Sequence, residues 1–148
     1  MIIYDLTTNS AEQTLQIADL FVKNILINSS KSTANIIYLI GDLGAGKTTF
    51  MRGMLASFGF DGPVKSPTYT IVETYPDLTV PIYHFDLYRL KQPNELELIG
   101  IRDYLQDKSF CCFEWPTQGL GYIPVPDFVI QLDILGDNLR KIKISDGL

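Results

Sequence analysis

At 148 residues, 46% hydrophobic and 20% charged, the chain suits one folded domain (1–148) with its own core and excludes the disordered class. A net charge of −5 argues against unaided binding to nucleic acid, and one histidine with two cysteines excludes a Cys/His metal cluster. No apolar stretch reaches the length of a bilayer span, and Met1-Ile2-Ile3-Tyr4-Asp5 lacks the basic start of a signal peptide, so the expected location is the cytoplasm.

The first predicted element is a short strand over 2–6. Ser10-Ala11-Glu12-Gln13 then has capping-box spacing, with Ser10 bonding forward and Gln13 reaching back. Leu15, Ala18, Phe21, Val22, Ile25 and Leu26 recur at helical spacing, which predicts a helix with one face on a sheet. After a polar connection over 28–32, Ile36-Ile37-Tyr38-Leu39-Ile40 is a continuous apolar run, as expected of a strand buried on both faces.

That strand leads into Gly41-Asp42-Leu43-Gly44-Ala45-Gly46-Lys47-Thr48, which fits the P-loop pattern G-x-x-x-x-G-K-[ST]. Gly41, Gly44 and Gly46 permit positive φ and close backbone approach, so the N–H groups of the loop can turn onto phosphate oxygens. Lys47 supplies a mobile charge for the β- and γ-phosphates, and the Thr48 hydroxyl is a hard ligand suited to Mg²⁺. The expected nucleotide contacts are Asp42, Leu43, Gly44, Ala45, Gly46, Lys47, Thr48 and Thr49. The following helix places Met51, Met54, Leu55 and Phe58 on one face and stops at Gly59. No N-K-x-D guanine-reading sequence is present, which argues against a GTPase.

Residues 59–68 hold several Gly and Pro and read as a loop, placed where such enzymes carry a phosphate-sensing switch. Lys65, Ser66 and Thr68 are its polar groups, and a solvated connector is the alternative reading. A strand over 69–75, a turn over 76–81 and a strand over 82–87 form a predicted hairpin. Ile82-Tyr83-His84-Phe85-Asp86 and Ser109-Phe110-Cys111-Cys112-Phe113-Glu114 are both apolar strands ending in an acid. Thr48, Asp86 and Glu114 make up the expected Mg²⁺ and catalytic set with Lys47. Asp86 is assigned to Mg²⁺ and Glu114 to its water shell or the attacking water, with the order of the two roles open. His84 is read as a hydrogen-bonded structural residue, and Cys111 and Cys112 as reduced packing residues on opposite faces.

Between the acids, one helix is predicted from Pro93 through Leu105, with Asn94 as its N-cap. Trp115-Pro116 precedes a glycine-containing loop over 117–121. Strands over 128–135 and 139–145 form a terminal hairpin, and Arg140 beside its turn is read as a solvated edge charge in preference to a platform for adenine. The expected class is α/β, a P-loop NTPase-like mixed β-sheet flanked by helices with a C-terminal β-hairpin. A small-molecule kinase and a nucleotide-gated binding module without catalysis remain as other readings of the same residues.

Taken together, residues 41–49, Ser66-Pro67-Thr68-Tyr69-Thr70, His84-Phe85-Asp86-Leu87-Tyr88-Arg89 and Glu114-Trp115-Pro116 occur in an order and spacing that resemble the TsaE (YjeE) family. Members of that family are small bacterial P-loop ATPases of tRNA threonylcarbamoyladenosine synthesis. The resemblance implies that 66–68 is a switch-like loop, that Lys47 and Thr48 serve ATP and Mg²⁺, and that Asp86 and Glu114 form the Mg²⁺ and catalytic site. It implies that Trp115 lies beside that site. It also implies the partners TsaD and TsaB. The acidic net charge makes tRNA a contact of the complex, and the lack of a long apolar stretch leaves no membrane role. No arginine sits in a loop suited to the γ-phosphate, so hydrolysis is expected to be slow until the partners join.

Overall fold

A computed structural model describes residues 1–147. The elements in chain order are β1 (Ile2–Thr8), α1 (Ala11–Asn24), β2 (Asn35–Ile40), α2 (Lys47–Ser57), β3 (Val72–Tyr75), β4 (Ile82–Asp86), α3 (Glu95–Leu98), α4 (Ile101–Gln106), β5 (Phe110–Glu114), β6 (Phe128–Ile134) and β7 (Arg140–Asp146). Seven strands form one sheet in the order β1-β7-β6-β2-β5-β4-β3. The four central strands, β6, β2, β5 and β4, run parallel, and antiparallel strands complete both edges. The sheet is mixed, as expected.

Alternation along the central strands divides the core into two layers. Ile37, Phe110, Cys112 and Ile82 face one side, whereas Ile36, Cys111, Phe113 and Phe85 face the other. The first side is covered by α1 and α2, where the Phe21 ring meets Phe50 at 6.3 Å and Phe128 edge-on at 5.4 Å. The second side is covered by α3 and α4, where Phe85 stacks on Phe113 at 4.6 Å and takes the edge of Tyr104 at 5.4 Å. Gly53 of α2 lies against α1: a Cβ there would be 2.7 Å from that of Ala18 and 3.1 Å from the Leu15 backbone. The helices approach closely because that position carries no side chain.

Four local expectations need correction. The strand over 69–75 begins only at Val72, since 67–71 close a turn through Ile71 N–H donating to the Pro67 carbonyl at 2.8 Å. Ile71 there has φ 68°, a costly conformation for a β-branched residue. The single helix expected from 93 to 105 is two, broken where Gly100 turns left-handed at φ 73°. Asn94 makes no cap. The Glu95 carboxylate caps instead, accepting from Gln92 N–H at 2.8 Å and Lys91 N–H at 2.7 Å, bonds that hold it below the usual carboxylate range. At α1 the Ser10 cap forms as expected, but Gln13 reaches Asn9 N–H at 2.8 Å, one residue earlier than the capping box requires.

Two outcomes follow from the packing. Gly53→Ala is expected to cost about 1–3 kcal/mol by overpacking the α1–α2 seam, seen as a lower urea midpoint with an unchanged slope. Burial pushes the Cys111 thiol up to about 12 and the Cys112 thiol well above its ordinary range. Both should resist a thiol reagent at neutral pH until denaturant is added; prompt labelling of the native protein would contradict the core placement.

Candidate active site

The chain leaves β2 at Ile40 and must turn sharply to enter α2. Gly41 makes this possible sterically, because a Cβ there would lie 2.7 Å from the Leu132 carbonyl oxygen of neighbouring β6. Positive φ is confined to Gly44 (82°) and Gly46 (107°), so the expectation of conformational freedom at all three glycines holds for two of them. Gly46 is the N-cap of α2 and has no side chain to bond the first-turn N–H groups. Those groups and the positive end of the helix dipole are thereby left for an anion. Asp42, Leu43 and Gly44 are exposed at the rim, Ala45 is buried, and Thr48 opens to solvent.

Lys47, the first residue of α2, is folded back. Its Nζ donates to the Gly41 carbonyl at 2.6 Å, lies 3.6 Å from Glu114 Oε1 and stands 4.3 Å above the Trp115 ring. Trp115 is held in this pose by a left-handed backbone at φ 55° and by Tyr88, whose ring is 5.0 Å away. The side chain of Lys47 is only 6% exposed. Three attractive contacts hold the cation in this pose.

The two acids expected from strand ends do converge. Asp86 and Glu114 are register partners at the carboxyl ends of parallel β4 and β5, and both are buried. Their surroundings differ. Asp86 Oδ1 accepts from Tyr88 N–H at 3.0 Å and Oδ2 from the Thr68 hydroxyl at 3.2 Å, with the Ser66 hydroxyl 2.8 Å from that of Thr68. Glu114 Oε2 is 2.6 Å from His84 Nε2, while Oε1 faces Lys47. The 66–68 segment is thus bonded to one acid and the lysine is poised beside the other. Lys65 is exposed and joins neither contact among the described residues. No group of three or more His, Cys, Asp or Glu side chains converges as a metal cluster among the described residues. The oxygen donors of Thr48 and Asp86 suit a hard cation such as Mg²⁺, which keeps several waters and takes substrate phosphates as further ligands.

Arg140 corrects the sequence reading. It is half-buried, and its guanidinium donates to the Gly44 carbonyl at 3.1 Å and to the Gly136 and Leu139 carbonyls at 2.8 and 3.0 Å. The terminal hairpin is therefore fastened to the glycine loop. Beside this clamp is a cavity of about 180 Å³ lined by Ser10, Ala11, Gly44, Gly46, Thr49 and Asn138 among others. A second cavity, about 410 Å³, flanks Gly41 between Ile40, Trp115 and Leu132. Ser10 and Asn138 were not expected near the site; nothing local in the sequence brings them there. Arg140→Ala is expected to speed amide exchange across 44–46 with little loss of global stability, about 1 kcal/mol, measured by exchange mass spectrometry and urea unfolding.

Comparison with known proteins agrees with this architecture. A family model described as "Threonylcarbamoyl adenosine biosynthesis protein TsaE" matches residues 8–142. The chain is 50% identical over 120 residues to the tRNA threonylcarbamoyladenosine biosynthesis protein TsaE of Haemophilus influenzae, covering 81% of this chain and 75% of that protein. It is 34% identical over 139 residues to the Rickettsia bellii protein of the same name, covering 93% and 92% respectively. The crystal structure of Bacillus subtilis YdiB matches with a TM-score of 0.78 at 28% identity, covering 100% of this chain and 88% of that one. With its family match spanning most of its length and its fold shared with YdiB, the chain belongs to the TsaE family.

Proposed function

We propose that the protein is a Mg²⁺-dependent ATPase subunit of tRNA threonylcarbamoyladenosine biosynthesis, acting in the cytoplasm with TsaD and TsaB. One observation carries this reading: the loop lysine, two register-paired acids and the 66–68 segment meet at one end of a parallel sheet. In this reading the N–H groups of 42–49 cradle the phosphates, and Lys47 swings from the Gly41 carbonyl to the β- and γ-phosphates. Thr48 and Asp86 hold Mg²⁺, which when bound offsets charge on the phosphate oxygens. Glu114 orients the water that attacks the γ-phosphorus, and the bond to the leaving β-phosphate oxygen breaks to give ADP and phosphate. The cavity of about 180 Å³ beside Arg140 takes the nucleoside end.

Partner dependence rests on the arginines. Arg52 lines a groove with Glu12 and Asp19 of α1, Arg89 stacks on Tyr69 at 4.3 Å, Arg102 pairs with Glu97 at 3.1 Å, and Arg140 is spent on backbone carbonyls. A positive group over the γ-phosphate, worth about 10³–10⁵ in rate, is then supplied by the partner proteins. The net charge of −5 assigns tRNA contact to those partners as well.

Three variants test the roles. Lys47→Ala should lose ATP binding while keeping its melting temperature within a few degrees. Glu114→Gln should bind Mg·ATP yet hydrolyse it about 10²–10⁴-fold more slowly, and Asp86→Asn should weaken nucleotide binding only when Mg²⁺ is present. Phosphate release should be slow alone and rise on adding TsaB and TsaD at matched salt. Fast turnover without partners, unchanged on adding them, would refute partner dependence.

A further inference from the structure

His84 is the chain's only histidine, and it is wholly buried in β4. It shares a sheet face with Ile82 and Asp86 and lies opposite Cys112 in β5. Its Nε2 is 2.6 Å from Glu114 Oε2, the shorter of the two contacts that carboxylate makes with basic groups. Its other ring nitrogen, Nδ1, is a buried side-chain atom with no hydrogen-bond partner among the described residues. A residue placed here for packing alone would be apolar, like Ile82 and Phe110 around it, and would strand no polar atom.

An ionised carboxylate only accepts, so the contact with Glu114 Oε2 calls for a hydrogen on Nε2. With Oε2 bonded to His84, the Glu114 carboxylate is oriented with Oε1 3.6 Å from Lys47, within ion-pair range but beyond hydrogen-bond distance. Released from His84, the carboxylate would be free to close on Lys47 to hydrogen-bond distance, since both are buried and attraction is strong there. That would occupy the oxygen needed for water and the cation needed for phosphate at once.

We infer that His84 is a positioning residue: its Nε2–H holds Glu114 Oε2 so that Oε1 remains open to water and Lys47 remains open to phosphate. This role rests on the ATPase reading above. It resembles the support that hydrogen-bonded outer groups give to metal-site carboxylates, whose loss typically costs about 10–100-fold.

The test uses Gln and Asn at position 84, because the Gln amide nitrogen reaches the place of Nε2 whereas that of Asn reaches only the place of Nδ1. His84→Asn and His84→Phe should lower kcat about 10–100-fold and weaken Mg·ATP binding, followed by fluorescence of Trp115, the only tryptophan. His84→Gln should recover most of both. A purely structural role would rank the variants by melting temperature instead, with no advantage for Gln over Asn at equal stability. Nitrogen NMR of the wild-type ring needs no variant and gives one signal set; the Nε2–H tautomer is expected, and Glu114→Ala should release its proton to exchange. An Nδ1–H tautomer, or full activity in both the Asn and Phe variants, would overturn the inference. Failure of the ATPase reading looks different: wild-type protein with TsaB and TsaD would release no phosphate, or Glu114→Gln would be fully active, while the tautomer still decides the clamp.

Discussion

In a parallel sheet the register of each strand sets the height at which its last residue leaves, and here three strands leave together. Leu39 pairs with Glu114 across β2 and β5, and Glu114 pairs with Asp86 across β5 and β4. A shift of one residue in either pairing would turn an acid to the opposite face and separate it from the loop that follows Ile40. The buried apolar runs of β4 and β5 hold that register, because every residue of both strands is buried and neither face is free to slip. The polar site is thus a product of apolar packing several residues below it.

What the sequence made legible follows from how local each signal is. The loop 41–48 could be read because all its parts are contiguous, and the two acids because each closes an apolar strand. Thr68 was singled out as a polar group in a loop, yet its partner Asp86 is known only once the chain has folded back between them. The bond from His84 to Glu114 crosses 30 positions and depends on the parallel register, which no pattern in either segment encodes. The same holds for Arg140 and Gly44, 96 positions apart. Ile71 was read as strand because β-branched residues favour strands, and the turn that overrides this preference is imposed by its bonds to Pro67 and Asp86.

Two adjacent acids at the site sit in different electrostatic surroundings. Asp86 is bonded to neutral donors, a backbone N–H and a threonine hydroxyl, while Glu114 is flanked by an imidazole and an ammonium. The first arrangement leaves a carboxylate whose charge is unspent on any cation. The second divides its contacts between one oxygen that is held and one that is poised. Trp115 completes the arrangement, since its ring attracts the lysine without a formal charge that would compete with phosphate.

The Arg140 clamp joins parts of the molecule that differ in their reasons for being stable. β7 is paired on both sides, to β6 and β1, and the amino terminus is tied to Asp146 at 2.8 Å. The glycine loop is tied from within by Lys47 at the Gly41 carbonyl, and the Arg140 bond to Gly44 adds a second tie from a strand near the end of the chain. Opening of β7 would therefore loosen the loop, and any ligand held by the loop would in turn stabilise β7 by mass action. Trimming the last strand would remove the clamp together with the buried Ile142 and Ile144 side chains, so loop and core would lose support at once.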